Sequence, residues 1–457
     1  MNWRLKSSWL IPCLFIVALQ SLTILVLIPA AGSLVGASYN LNRYADGYDT
    51  LAANLAEGNG YRFYPDTAKT LMREPGYPLL LAGIFIAFGK SLTAVKLINM
   101  TMTLAVAYLM TRIARKLSSS RLVILGSALL FLFHPETLIA ESRGGVEVLF
   151  TLMLMLYILT VYRALQTNRW WDYLISGGVL GLTVMVRSTP ILFPLVLLGY
   201  LLLVERRRGQ ELVVVRNIIV MVIAMFVVLS PWIRRNYLLT AKFVPTASVL
   251  GVAAQTGLYL STHHEIGNAL VDTDAARERN RLAQELGYHF RPGYYQYFYS
   301  SADEVAFSNY LFRRVVDQYE RSPLLFARTV AFNSFNFWCA GKTWKSVALD
   351  AIIQLPLVAL AGTAIVLCLG AGRFKDVGLL TLLIIYIVAV SVPILAQARY
   401  CAPVIPYLSI LACMALVAAL RRFSGANGTL HEAVCQPSAS RAVACDAMLE
   451  CVGKGNQ

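Results

Sequence analysis

Charge is scarce in this sequence. Only 14% of its 457 residues are Asp, Glu, Lys or Arg, and 57% are hydrophobic, whereas about a quarter of a soluble domain is charged. With a mean hydropathy of +0.60, the composition excludes an ordinary soluble domain and describes an integral membrane protein. Histidine is equally sparse: His134, His263, His264, His289 and His431 share no ligand spacing on a common helix face, so no metal site is expected. The eight cysteines form no CxxC pair, and Cys13, Cys368 and Cys413 fall inside apolar runs, which argues against a disulfide framework or a zinc site. No P-loop, GxSxG elbow or Rossmann fingerprint occurs, so no soluble nucleotide site is indicated. Asp272 and Asp274 in "VDTDAAR" have the DxD spacing but read more simply as a helix start. The sequence shows no internal repeat, which weighs against a transporter built from two inverted halves.

Apolar runs are what the sequence does have. The first, Trp9 to Ala31, follows a basic Met1 to Ser8 and is longer than a signal-peptide core, so it reads as an uncleaved transmembrane helix. A net charge of +15 invites a nucleic-acid reading. The cations, however, cluster between apolar runs (Arg4/Lys6, Arg112/Arg115/Lys116/Arg121, Arg163/Arg169, Arg206 to Arg208, Arg373/Lys375, Arg421/Arg422), as the positive-inside rule predicts for cytoplasmic loops. For Lys6 and Arg112 to share one side, one of the three intervening runs cannot span. "PGYPLLLAGIFIAFG" (75 to 89) is the shortest and begins with prolines, which suits an interfacial or re-entrant helix. The remaining runs, about 97–114, 121–138, 144–162, 171–187, 188–204, 212–233, 347–370, 377–396 and 402–420, give with the first helix about ten crossings, in a range of nine to thirteen. The expected division is therefore a first transmembrane helix (1–31), an outer loop with interfacial helices (32–96), helices two to seven (97–233), a second outer region (234–346), helices eight to ten (347–421) and a polar cytoplasmic, disordered tail (422–457).

This threading brings a set of charged residues to one membrane surface. Asp46 and Asp49 lie in "DGYDTLAANLAEG", a short interfacial helix ending at Gly58; a carboxylate there can take a proton from a hydroxyl, although for a single Asp taken alone an N-cap or solvated acid is the favoured reading. Arg73 and Glu74 open the next helix in "LMREPGYPLLLAGIFIAFG", and Glu136, Glu141, Arg143 and Glu147 lie in "HPETLIAESRGGVEVLF". Glu147 stands near the start of a span, a depth at which an ionisable group is a functional candidate. Arg187 in "GLTVMVRSTPILFPL", Arg234 and Arg235 in "SPWIRRNY" and Arg399 in "AQARYCAP" come out on the same face. Guanidinium groups are planar forks suited to phosphate oxygens, so their convergence suggests a lipid phosphate or pyrophosphate. Tyr48 and Tyr400 stand beside these charges as further candidates for positioning substrate.

In order, "DGYDTLAANLAEGNGY", "REPGYPLLLAGIF", "GGVEVLFTLML", "GLTVMVRSTPILFPL", "LSPWIRRNYLLTAKFVP" and "ARYCAPVIPYLSILA" resemble the polytopic glycosyltransferases of the GT-C superfamily. The resemblance is to bacterial members of glycosyltransferase family 39, relatives of protein O-mannosyltransferases and of the lipid A aminoarabinose transferase. It runs over nearly the whole chain to about residue 421. It implies an all-α, GT-C-like membrane bundle in a bacterial inner membrane, with the active site facing the periplasm. The implied reaction is an inverting displacement that moves a sugar from a polyprenyl-phosphate donor to a protein, lipid or polysaccharide acceptor. An Asp of the first outer loop would be the base, here Asp46 with Asp49 as the alternative, because the family's spacing of Asp and Tyr is not reproduced around Tyr44. Arg73 and Arg399, with Arg187, Arg234 and Arg235, would hold the lipid phosphate; Glu74, Glu147, Tyr48 and Tyr400 would position substrate. Arginines can neutralise the phosphate, so neither a metal nor another cofactor is required by this reasoning. The aromatic "HFRPGYYQYFYS" (289 to 300) is expected to shape acceptor choice, since ring faces stack on sugars. Two other readings are an O-antigen ligase or polymerase, which would move a glycan chain, and a lipid-linked sugar flippase, which would place its charges near the bilayer midplane.

Overall fold

A computed structural model describes residues 10–27, 46–205, 209–263, 271–340 and 344–423. Arg4, Lys6, Tyr44, Arg206 to Arg208, His264, the remainder of the first expected span and the tail from 424 lie outside them. The described chain is all-α but for one two-stranded ladder. Helix α1 (Leu10–Leu22) passes into a π-helical turn, Thr23–Leu27. There follow α2 (Tyr48–Ala56), α3 (Gly76–Phe88), α4 (Leu92–Leu117), α5 (Arg121–Leu132), α6 (Pro135–Ser142), α7 (Glu147–Thr167), α8 (Trp170–Val186), α9 (Phe193–Leu203) and α10 (Glu211–Thr240). Then come α11 (Leu250–His263), α12 (Val271–Glu285), β1 (Phe290–Arg291), β2 (Tyr297–Phe298), α13 (Ser301–Arg321), α14 (Pro323–Cys339), α15 (Trp344–Gly370), α16 (Phe374–Ser391) and α17 (Ile405–Phe423).

Six helical segments are long and apolar enough to cross a membrane: α4, α7, α10, α15, α16 and Ala398–Arg422, which contains α17. The pair α5 and α6, bent by 48° at their junction, adds a seventh. The count of about ten, and its range of nine to thirteen, is therefore corrected to six or seven among the described residues. The excess arose from counting apolar runs too short to cross as spans. Trp170–Val186 and Thr189–Leu203 are each under 18 residues, as is the described apolar part of the first run, Ile16–Leu27, and a helix needs about 20 residues to cross the hydrocarbon layer. Gly76–Phe88 is likewise short; it is the run set aside as non-spanning.

The bundle packs through small residues. Gly177 and Gly181, one turn apart on α8, lie against the backbone of α10 at Met221 and Met225, the close approach that small-xxx-small spacing permits between membrane helices. A second apolar core lies above the bundle at one end, where Leu51, Tyr61, Phe63, Met72, Val252, Leu282, Tyr295, Phe298, Phe307 and Leu311 bury together. Helix α2 joins the two: Tyr48 and Ala52, four apart, belong to the bundle core, whereas Leu51 belongs to the upper one. Glu304 of α13 fastens the upper layer, accepting from Thr70 Oγ1 (2.6 Å), the Leu71 amide (2.9 Å) and Ser248 Oγ (2.5 Å).

The opposite end carries the cation clusters in contact with neighbouring helix ends. Lys116 reaches Gln166, Arg163 pairs with Asp172, Arg373 with Asp376, and Lys375 bonds the Glu205 carbonyl. Because a Cβ on Gly177 collides with the Met221 carbonyl while Gly178 faces open space, the two neighbours should respond oppositely. Gly177→Leu should destabilise the protein by about 2 kcal/mol or more through overpacking, whereas Gly178→Ala should be neutral or stabilising by about 0.5–1 kcal/mol; thermal unfolding in detergent measures both.

Candidate active site

The site is built where chain segments remote in sequence meet at one end of the bundle. Asp46 and Gly47 both adopt left-handed backbone (φ 58° and 73°) immediately before α2. For a residue with a side chain this conformation is uncommon and persists where surrounding contacts hold it. Here the contact is ionic: the Asp46 carboxylate accepts from Arg399 Nη1 at 2.7 Å and Nη2 at 3.3 Å, a bidentate fork. Arg73 Nη2 stands 3.9 Å away on its other side. Arg399 also lies 3.7 Å from Glu147, the buried first residue of α7, and donates through Nε to Gln397 Oε1 at 2.9 Å. Burial alone would raise the Asp46 pKa, but the charges of Arg399 and Arg73 outweigh it and hold the carboxyl well below the usual range, so it is ionised at any physiological pH.

Arg73 is fixed by aromatic walls. Its guanidinium lies 5.3 Å from the Tyr48 ring centre and 5.0 Å from that of Tyr295, a cation–π arrangement on both. It also donates to the Tyr295 hydroxyl. The backbone carbonyls of Arg73 and Glu74 both receive the Tyr61 hydroxyl, at 3.0 and 3.1 Å. Arg187 completes the cluster from the end of α8, its guanidinium 4.3 Å from the Tyr400 ring and 5.7 Å from Phe150. Burial pushes the Tyr48 and Tyr295 phenols up, against the opposing pull of Arg73, so both stay protonated.

The structure thus brings together Asp46, Arg73, Arg399, Arg187, Glu147, Tyr48 and Tyr400. The other candidates have different surroundings. Asp49 points to Lys90, with its carboxylate 2.9 Å from Nζ. Glu74 accepts the Ser188 amide at 3.1 Å, pinning the turn that follows Arg187. Arg235 donates to the Thr70 carbonyl and to Asn236 Oδ1 and packs on Trp232, so its donors are taken up in joining α10 to the segment before Arg73. Arg234 is exposed. Sequence reasoning missed Lys90 as the partner of Asp49 and Gln397 as the orienter of Arg399. It considered Tyr295 only as an acceptor contact, although the structure places its hydroxyl on Arg73. Lys90 carried a signal, being the one cation at the end of an apolar helix facing the first loop; Gln397 carried none. Among the described residues no group of three or more His, Cys, Asp and Glu is arranged to hold a metal ion.

Comparison with known families gives one match. Residues 72–233 match the family described as Dolichyl-phosphate-mannose-protein mannosyltransferase. Over this segment, about a third of its length, the chain is similar to that family. The matched segment holds Arg73, Glu147 and Arg187 and stops short of Asp46 and Arg399. No curated protein and no solved structure matches the chain. Its six or seven membrane-crossing helices among the described residues make it a multi-pass membrane protein.

Linkage gives the pH behaviour of the ion pair. A carboxyl whose folded pKa is depressed stabilises the fold fully above its unfolded value, near 3.8, and loses that stabilisation as pH falls through the lower folded value. The difference in melting temperature between wild type and Asp46→Asn should therefore be constant between about pH 5 and pH 8 and shrink below about pH 4, as scanning fluorimetry in detergent across that range would reveal.

Proposed function

We propose that this protein transfers a sugar from a polyprenyl-phosphate-linked donor to an acceptor at the periplasmic face of a bacterial inner membrane, by inverting single displacement, with Asp46 as the base. The observation that carries the reading is the Asp46 carboxylate lying between Arg399 and Arg73 at one end of a membrane bundle. Asp49, paired with Lys90, lacks any such setting. Cations gathered at the opposite end support a cytoplasmic position for that end and hence an external one for the site.

In the reaction an acceptor hydroxyl attacks the anomeric carbon. The bond from that carbon to the phosphate oxygen breaks, its electron pair leaves with the polyprenyl phosphate, and the hydroxyl proton passes to Asp46. The leaving phosphate gains one negative charge, which Arg399 and Arg73 are placed to stabilise.

Charge balance explains how a carboxylate with depressed pKa can serve as a base. Three guanidinium groups, Arg73, Arg187 and Arg399, face the carboxylates Asp46, Glu74 and Glu147, with Glu136 and Arg143 adding one charge of each sign beside them, so the cluster is close to balanced without substrate. A donor phosphodiester that draws on Arg399 and Arg73 both removes part of Asp46's stabilisation and adds a negative charge beside it. Both effects raise its affinity for a proton. The carboxylate that is a poor base in the empty site thus becomes a better one when donor is bound, which discourages wasteful proton transfer before the sugar is in place.

The test is transfer of radiolabelled sugar from polyprenyl-phosphate donors to a membrane acceptor fraction by protein reconstituted in liposomes. Asp46→Asn should lower turnover by roughly 100- to 10,000-fold, with Asp49→Asn within a few-fold of wild type. Arg399→Ala and Arg73→Ala should each cost roughly 100-fold or more in kcat/KM. Full activity in Asp46→Asn removes it as the base; labelled lipid crossing the bilayer without transfer replaces the transferase reading with a flippase.

A further inference from the structure

A second cationic site lies at the same end of the molecule and has none of the first site's counter-charges. Helix α10 stops where Ala241 turns left-handed (φ 52°), and Lys242 leaves the helix there to face α13. On α13 the residues Ala306, Asn309, Tyr310 and Arg313 line one cavity with Lys242, about 260 Å³ in volume. They recur at i, i+3, i+4 and i+7, a single stripe of the helix, while Val305, Ser308, Leu311 and Val315 bury the other side. The small Ala306 leaves room between the longer side chains.

Lys242 and Arg313 are both exposed, and among the described residues neither side chain has an acidic partner. This separates them from Arg73 and Arg399, whose charges are met by carboxylates, and from Arg235, which is folded onto Thr70 and Trp232. Two cations face one cavity with an amide and a phenol beside them, and such a set offers donors in excess and no carboxylate acceptor. It suits a phosphate group.

The surroundings indicate where that phosphate would come from. On the last turn of α10 and just past it, Tyr237, Leu238 and Phe243 are 56%, 71% and 69% exposed. Apolar and aromatic side chains left uncovered at the end of a membrane-crossing helix sit at the headgroup level of a bilayer, and Phe243 directly follows Lys242, which lines the cavity. We propose that Lys242, Asn309, Tyr310 and Arg313 bind the phosphate of an anionic phospholipid headgroup, at a site distinct from the Asp46 cluster. The lipid would fasten α13, and with it the upper layer that carries Tyr295, to the membrane surface.

The experiment is native mass spectrometry of the full-length protein taken from vesicles of zwitterionic lipid doped with phosphatidylglycerol. Wild type should retain phosphatidylglycerol. The double variant Lys242→Ala/Arg313→Ala should retain about tenfold less, since each surface cation adds measurably to the binding of anionic lipid. Lys242→Arg/Arg313→Lys, which keeps both charges, should retain it. Both side chains are exposed, so the variants should melt with wild type, and that melting curve separates a lost site from a lost fold. Equal retention by wild type and double variant would overturn the proposal. So would displacement of the lipid by millimolar inorganic phosphate, which would assign the cavity to the free anion. The readout involves no sugar transfer, so it stands or falls apart from the proposed activity.

Discussion

The contact between Asp46 and Arg399 is the constraint on which the rest of the arrangement depends. Two partly buried charges need a partner with good geometry, and the partners here are separated by 353 positions in the chain. One is delivered by the turn before α2 and the other by the break between α16 and α17, so the pair can form only when the bundle has closed around nearly its whole length. Arg73 joins from the segment just before α3 and Glu147 from the start of α7. The site is accordingly a property of the completed fold, not of any local motif.

The layering explains why the cluster sits at this level. Helix α2 is buried from both sides, Tyr48 and Ala52 against the bundle and Leu51 against the upper core. Its N-terminus, and with it Asp46, lies in the seam between a membrane-type interior and an outer layer of mixed polarity. An apolar chain can enter such a seam from the bundle side and a polar group from the other, as the proposed polyprenyl-linked donor would require. Tyr295 reaches down from the outer layer to Arg73, so the two layers share a residue contact at the charged centre.

Much of this was legible before the coordinates. Low charge and repeated apolar runs established a polytopic α-helical chain, and the alternation of cation clusters put Asp46, Arg73, Glu147, Arg187 and Arg399 on one surface. What the sequence could not resolve is which of those charges face one another. Asp46 and Asp49 are three residues apart and chemically identical, yet one meets Arg399 and the other Lys90; only tertiary packing distinguishes them. Arg234 and Arg235 likewise looked equivalent, whereas one is exposed and the other lies against Trp232. The break at Arg187 was read from the sequence, but the number of spans was overcounted because the short runs on either side of it, 171–187 and 188–204, were each counted as a crossing.

Those breaks are themselves informative. Irregular backbone within a membrane protein is sustained only where it is buried in protein or lines a cavity, because its free N–H and C=O groups have no partners in lipid. In this chain several of the described irregularities lie around the charged cluster. Those near it include the left-handed pair Asp46 and Gly47, the 48° bend between α5 and α6, the 3₁₀ turn Thr189–Leu192 after Arg187, and the successive 3₁₀ turns Ala398–Tyr400 and Ala402–Val404 on either side of Cys401. Several supply a site residue directly, since a continuous helix at Arg187 or Arg399 would carry the side chain around the helix axis and not into the centre. Glu74 shows the coupling, for its carboxylate accepts the Ser188 amide that the break at Arg187 leaves without a helical partner. The shortness of α8 and α9 as spans and the assembly of the arginine cluster therefore have one cause: the helices are interrupted at the depth where their charged residues must turn inward.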